Sequence, residues 1–182
     1  MNMHFYLIPL LLLSNFSLAE NPKNWEKEVN QTINSGSMKL LSSAFANNER
    51  IPDLYTCQGD NIPPPLEIQG VPKEAKSLAL IVDDPDAPRG TVDHWIVWNI
   101  DPETTIINSM SRFGSVGKNS SGVDAYKGPC PPPGKPHRYF FKLYALDNVL
   151  QLPIGASKKD VEEAMQGHII AETQLIGTYS RG

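Results

Sequence analysis

Between Gly128 and Tyr139 the chain reads Gly-Pro-Cys-Pro-Pro-Pro-Gly-Lys-Pro-His-Arg-Tyr, so five prolines, two glycines and a cysteine stand directly ahead of an aromatic run. Each proline fixes its own φ, removes an N–H donor and pushes the preceding residue toward extended geometry, so this loop loses little entropy in holding one shape. Glycines at its ends let the backbone turn or approach another segment closely. The following segment, Arg138 to Leu146, has the length and aromatic content of a strand. Side chains alternate along a strand, which places His137 and Tyr139 on the face of Phe141, Leu143 and Ala145 and turns Arg138 the other way. A stiff loop delivering a histidine and a tyrosine to the rim of an apolar face is the expected wall of a binding pocket.

The rest of the chain supplies short strands punctuated by Pro and Gly. Met38 to Phe45 can alternate as an edge strand and Asn47 to Pro52 reads as a turn. Tyr55 to Leu66 is a second proline-rich loop with its own cysteine, Cys57. Ser77 to Val82 is a continuous apolar run, the look of a central strand buried on both faces. Extended geometry to its end puts Asp84 on the row of Leu78, Leu80 and Val82. In Thr91 to Ile100, strict alternation puts His94 on the row of Val92, Ile96, Trp98 and Ile100. Ser157 and Asp160 stand at capping-box spacing ahead of a helix whose apolar face holds Val161, Ala164, Met165 and Ile169. His168 shares that face and reads as a hydrogen-bonded core residue. Glu172 to Tyr179 closes the chain as a last strand. Many short strands with one late helix predict a mainly β protein, an antiparallel two-sheet β-sandwich with a few peripheral helices.

Residues 1–19 read as a secretory signal peptide: the apolar run Phe5 to Leu13 is too short to span a bilayer, and Ser17 and Ala19 sit where a signal peptidase reads. Residues 20–37 form an arm or short helix, and residues 38–182 form one domain, with no transmembrane segment once the signal is removed. Taking 19 from 182 leaves 163 residues, enough for one well-buried core. The formal charge of −4 argues against nucleic acid as partner. Export predicts a secreted or periplasmic location, where an even cysteine count favours a Cys57–Cys130 disulfide. The alternative is a free Cys130 thiol near His137. Asn119-Ser120-Ser121 is a glycosylation sequon that matters only in a glycosylating host, and Gly117-Lys118-Asn119 lacks the spacing of a phosphate loop.

The pattern thus puts Asp84, Asp86, His94, His137 and Tyr139 on buried faces or stiff loops. Buried polar groups need partners, and Asp84 and Asp86 can find them in the backbone donors of their proline turn. Two histidines, a tyrosine and two carboxylates drawn from three segments exceed what stability requires. These residues carry a resemblance. Asp84-Pro85-Asp86-Ala87-Pro88, then His94-Trp95, then Gly128 to Tyr139 resemble the two signature blocks of the phosphatidylethanolamine-binding protein family, and most closely its bacterial Raf-kinase-inhibitor-like (YbhB/YbcL-type) branch. Tyr55 to Asn61, Gly167 to Ala171 and Leu175 to Tyr179 resemble that branch as well. The resemblance implies a bacterial two-sheet sandwich with a pocket for phosphate, acetate or a phospholipid headgroup. Asp84, Asp86, His94, His137 and Tyr139 would line it, with Pro131 and Pro132 at its lip. It also implies a cis Ala87–Pro88 bond, and modulation of a kinase or protease by the pocket face.

The expected function is a non-catalytic binding protein without a cofactor, taking a small phosphorylated or carboxylated ligand such as phosphoethanolamine. Histidine N–H groups would donate to phosphoryl oxygens, and a carboxylate would either hold a histidine in its donating form or pair with the ligand's ammonium. The competing classes are a hydrolase using Cys130 with His137, which a disulfide would disarm, and a metal site made of Asp84, His94 and His137.

Overall fold

The computed structural model describes residues 37–110 and 113–181. The expected signal peptide and nearly all of the expected arm lie outside them. Among the described residues, eight strands form two antiparallel sheets. The smaller holds β1 (Lys39–Ser42), β2 (Leu66–Gln69) and β5 (Ile106–Ile107) in the order β1-β2-β5. The larger holds β3 (Ser77–Asp84), β4 (Val92–Ile100), β6 (Ser115–Val116), β7 (His137–Leu146) and β8 (Ile169–Tyr179) in the order β6-β4-β3-β7-β8. A single turn of 3₁₀ helix covers Asp53–Tyr55, and α1 spans Lys158–Met165. Among the described residues no helix is long and apolar enough to cross a membrane.

The layers follow from the side-chain pattern. Leu40, Leu66 and Ile68 point inward from the small sheet while Lys39, Glu67 and Gln69 face water. They meet Leu80, Val82, Tyr139, Phe141 and Leu143 of the large sheet in the main core. The reverse face of the large sheet presents Ala79, Ile81, Ile96 and Trp98 to Leu150, Ala156 and, from α1, Val161 and Met165. Strand β3 is therefore buried along its whole length, because it has neighbours on both edges and an apolar layer on both faces. The expected row of His137, Tyr139, Phe141, Leu143 and Ala145 is found, with Arg138 exposed on the other face.

Strand β4 departs from strict alternation, because its register against β3 slips twice. Val82 faces Trp95 but Asp83 faces Asp93, which leaves His94 as an extra residue; Leu78 faces Ile100 but Leu80 faces Val97, which leaves an extra residue near Asn99, at φ 56°. His94 consequently leaves the row of Ile96 and Trp98 and joins the main-core side with Trp95 and Val97, and Ile100 changes sides in the same way. Helix α1 carries the expected capping box, with Ser157 accepting from the Asp160 N–H and Asp160 accepting from the Ser157 N–H. It stops earlier than the apolar spacing implied. Gly167 takes φ 77° just past its end, Ile169 begins β8, and His168 lies half-exposed with its Nδ1 2.8 Å from Asp147 Oδ1 rather than in the core.

Gly177 shows how tightly β8 is seated. It lies opposite Tyr139, and a β-carbon there would stand 2.5 Å from Ile51 Cγ1 and 2.9 Å from Phe45 Cε2. Ile51 is fully buried, so it must shift within the core to make room. Gly177→Ala is expected to lose about 1–3 kcal/mol, seen as a lower urea midpoint with an unchanged m-value; an unchanged midpoint would show that Ile51 can repack.

Candidate functional site

The end of β3 builds the first wall. Asp84 Oδ1 accepts the Asp86 N–H at 2.8 Å, folding the chain back at the Asp84-Pro85-Asp86 turn, and Gly90 N–H donates to the Ala87 carbonyl at 3.2 Å. Gly90, at φ 102°, supplies the reversal. The Ala87–Pro88 peptide is trans, contrary to the cis bond implied by the resemblance; the turn is closed by these two hydrogen bonds and the glycine instead. The other Asp84 oxygen, Oδ2, lies 2.7 Å from His137 Nδ1, and both side chains are buried. Because a carboxylate only accepts, this contact places the hydrogen on His137 Nδ1 and leaves Nε2 as the remaining ring nitrogen.

The bulge in β4 builds the second wall. His94 Nδ1 donates to the Lys127 carbonyl at 2.6 Å while Lys127 N–H donates to the His94 carbonyl at 2.9 Å, so the loop after Tyr126 is fastened to the strand at this residue. His94 Nε2 is buried without a partner, and so is the Tyr139 hydroxyl. The two rings meet edge to face, with centroids 5.2 Å apart. Burial holds the His94 pKa below that of a free histidine, a pull that outweighs the opposing effect of its carbonyl bond and of Asp84. Burial, reinforced by Asp84, raises the Tyr139 phenol, which stays protonated and able to donate.

The proline-rich loop forms the lip. Cys130 is bonded to Cys57, as compartment suggested, and both residues are exposed. Around the disulfide, Cys57 N–H donates to the Pro129 carbonyl at 3.1 Å and Gly128 N–H donates to Asn61 Oδ1 at 2.7 Å. Gly128 permits this approach, because a β-carbon there would stand 2.3 Å from the Tyr55 carbonyl oxygen. Arg181 Nε holds the Pro131 carbonyl from the end of the chain.

A cavity of about 500 Å³ results, lined by Asp84, His94, His137, Tyr139, Pro131 and Pro132, with Arg89 and Cys130 on its walls. Of the residues singled out in the sequence, Asp86 alone does not line it. Asp86 instead grips Arg138, accepting from its backbone N–H at 3.0 Å, Nε at 2.9 Å and an Nη at 2.8 Å, and the guanidinium lowers its pKa to about 2. It thereby ties the turn after β3 to the start of β7, next to the Asp84–His137 pair. Asp84, His94 and His137 do not converge as metal ligands: Asp84 and His137 face each other, His94 Nδ1 is taken by a carbonyl, and no group of three potential ligands that could hold a metal forms among the described residues. The disulfide removes Cys130 as a thiol nucleophile. Asn119 of the sequon is buried, and its amide donates to the Ala125 carbonyl at 2.9 Å.

Directly behind the cavity, Asp83 and Asp93 point to the opposite face, where Lys158 of α1 reaches them at 2.6 and 3.2 Å and Lys142 reaches Asp83 at 2.8 Å. Helix α1 therefore braces the back of the site rather than covering its mouth. Alternation along Asp83-Asp84 foretells the two orientations, but nothing local in the sequence assigns Lys158 as partner. Arg89, Lys127 and Arg181 were likewise missed, since two of them act through loop geometry and the third through a contact 50 residues away in sequence.

Residues 41–180 match the family model described as phosphatidylethanolamine-binding protein. A UPF0098 protein of Methanothermobacter thermautotrophicus is 56% identical over 152 residues, which are 80% of this chain and 100% of that protein. The crystal structure of a phosphatidylethanolamine-binding protein homologue, CT736, from Chlamydia trachomatis superposes with a TM-score of 0.78 at 45% identity, covering 81% of this chain and 100% of the other. Escherichia coli YbcL, described as a member of the mammalian family, superposes with a TM-score of 0.75 at 28% identity over 81% of this chain and 100% of its own.

Proposed function

The chain belongs to the phosphatidylethanolamine-binding protein family, and from that premise we propose that it is a non-catalytic binding protein whose cavity takes a small anion of the phosphate or phospholipid-headgroup class. One observation supports this reading above the rest: a single cavity gathers His137, His94 with its buried Nε2 unpartnered, and Tyr139 with its buried hydroxyl unpartnered. A buried polar atom without a partner costs about 1–3 kcal/mol, and a ligand supplying partners recovers it. Arg89 on the cavity wall adds positive charge. The exposed segment from Pro132, which lines the cavity, to Pro136 would be the face offered to a kinase or protease. The leader-like residues 1–19 support a secreted or periplasmic location, in which the Cys57–Cys130 bond persists.

The test is an NMR titration of metal-free protein with phosphoethanolamine and with inorganic phosphate near pH 6, following the histidine ring protons. Saturable shifts of the His94 and His137 rings are expected, and His137→Ala is expected to weaken binding at least ~30-fold, about 2 kcal/mol for a lost charge-assisted bond. Absence of any shift in the folded wild-type protein would remove anion binding as its function.

A further inference from the structure

The hydrogen-bond inventory of the cavity goes one step beyond anion binding, and it rests on that reading. Both histidines have their Nδ1 hydrogen committed to an oxygen that only accepts: His94 to the Lys127 carbonyl at 2.6 Å and His137 to Asp84 Oδ2 at 2.7 Å. In its neutral form each ring can therefore offer only a lone pair at Nε2. For His94 that nitrogen is buried and unpartnered, in a residue only 5% exposed. The groups around His94 are Asp84 from β3, Asp93 from β4, His137 and Tyr139 from β7, and Lys127 and Arg89 from the loops. Burial opposes an imidazolium most and the Lys127 charge opposes it too, while the bond to the Lys127 carbonyl and the two carboxylates favour it; the balance lies toward the neutral ring, whose Nδ1 hydrogen is already committed and whose Nε2 lone pair faces the cavity without a partner. A fully ionised oxyanion pressed against it would set lone pair against lone pair.

We propose that this site selects oxyanions that retain an acid hydrogen, with His94 Nε2 as the acceptor that reads it. The ligand class is a phosphate monoester, or inorganic phosphate, in its monoanionic state. Its P–OH donates to His94 Nε2 and an unprotonated oxygen accepts from the Tyr139 hydroxyl. A phosphodiester and sulfate have the same tetrahedral outline but no acid hydrogen at neutral pH, and each leaves His94 Nε2 unpaired or requires the buried ring to take up a proton. Tyr139 does not relieve this, because its hydroxyl has one hydrogen to give.

Calorimetry on the full domain at pH 6 would compare inorganic phosphate, phosphoethanolamine, dimethyl phosphate and sulfate. Phosphate and phosphoethanolamine are expected to bind at least ~10-fold more tightly than dimethyl phosphate and sulfate, in keeping with the penalty for leaving a buried polar group unpaired. Phosphoethanolamine affinity is expected to fall towards ~10-fold per pH unit above the second ionisation of a monoester near about 6. Equal affinity for phosphate and dimethyl phosphate would overturn the proposal while leaving an anion site standing, whereas no binding by any of the four would end both. His94→Gln, whose amide can either donate or accept, is expected to bring phosphate and sulfate within ~3-fold of each other with an otherwise native NMR spectrum. Discrimination that survives this substitution would exclude His94 as the reader. If the variant fails to fold, the wild-type panel still decides the question.

Discussion

Replacing Cys57 and Cys130 together by serine is expected to destabilise the domain by about 4 kcal/mol, the loop-closure entropy returned to an unfolded chain freed of a cross-link, here one spanning 73 residues. For a domain of this size that corresponds to a fall in Tm on the order of 10 °C. The double serine variant is preferable to reduction because it adds no thiol beside the cavity. The hydrogen bonds from Cys57 N–H to Pro129 and from Gly128 N–H to Asn61 remain available, but they must now close the same long loop without covalent help. Cys130 lines the cavity and Pro131 follows it, so loosening this join should also weaken phosphate binding, by more than the change in folded fraction accounts for. A loss below about 1 kcal/mol would mean that the prolines flanking both cysteines already restrict the unfolded chain enough to make the cross-link redundant. Both cysteines are exposed, so a reductant can reach the bond in the native protein. Reduction followed by an esterase or peptidase assay tests the thiol-hydrolase alternative under the one condition in which Cys130 is free.

The parts of this fold that were legible in the sequence are those governed by local rules. Strand β7 kept a strict two-residue period through ten residues, so the shared face of His137 and Tyr139 followed from alternation alone. The capping box at Ser157 and Asp160 needed only a three-residue spacing. His94 was placed on the wrong row, because a one-residue bulge inverts every side chain beyond it and leaves no mark in composition. Strands β5 and β6, at two residues each, are too short for any period to appear. Asp86 illustrates a different limit. Its place in a proline turn was legible, but whether it faced the cavity or Arg138 depended on the register between β3 and β7, fixed by pairs such as Asp83 with Phe140 across more than fifty residues. The Lys158 brace is invisible for the same reason: it joins a helix to two strands that only the tertiary fold brings together.

Asp84→Asn should separate the two roles that a carboxylate in this cavity can play. Asp84 is buried and accepts two hydrogen bonds, from Asp86 N–H at 2.8 Å and from His137 Nδ1 at 2.7 Å. An amide is nearly the same size but carries one acceptor and one donor end. With its oxygen kept on the Asp86 N–H, its NH₂ faces His137 Nδ1, which must then accept, and the imidazole hydrogen moves to Nε2. His137 would then offer an N–H to the cavity while neutral, and a negative charge would be gone from beside the bound anion. If Asp84 acts by holding His137 in its Nδ1–H form, the variant should bind inorganic phosphate ~10-fold more tightly than wild type at pH 6, since charge repulsion is removed and the neutral ring now offers an Nε2–H, while the His94 requirement falls equally on both proteins. Nitrogen-15 shifts of the His137 ring should report the exchanged tautomer. If instead Asp84 pairs directly with a ligand ammonium, phosphoethanolamine should lose affinity in the variant while inorganic phosphate does not. Asp84→Ala gives the reference point. It leaves the Asp86 N–H and the His137 Nδ1–H buried without an acceptor, so it should cost about 2–4 kcal/mol of stability and abolish binding of both ligands. Retention of tight phosphate binding by that variant would show that neither role of Asp84 matters to the anion.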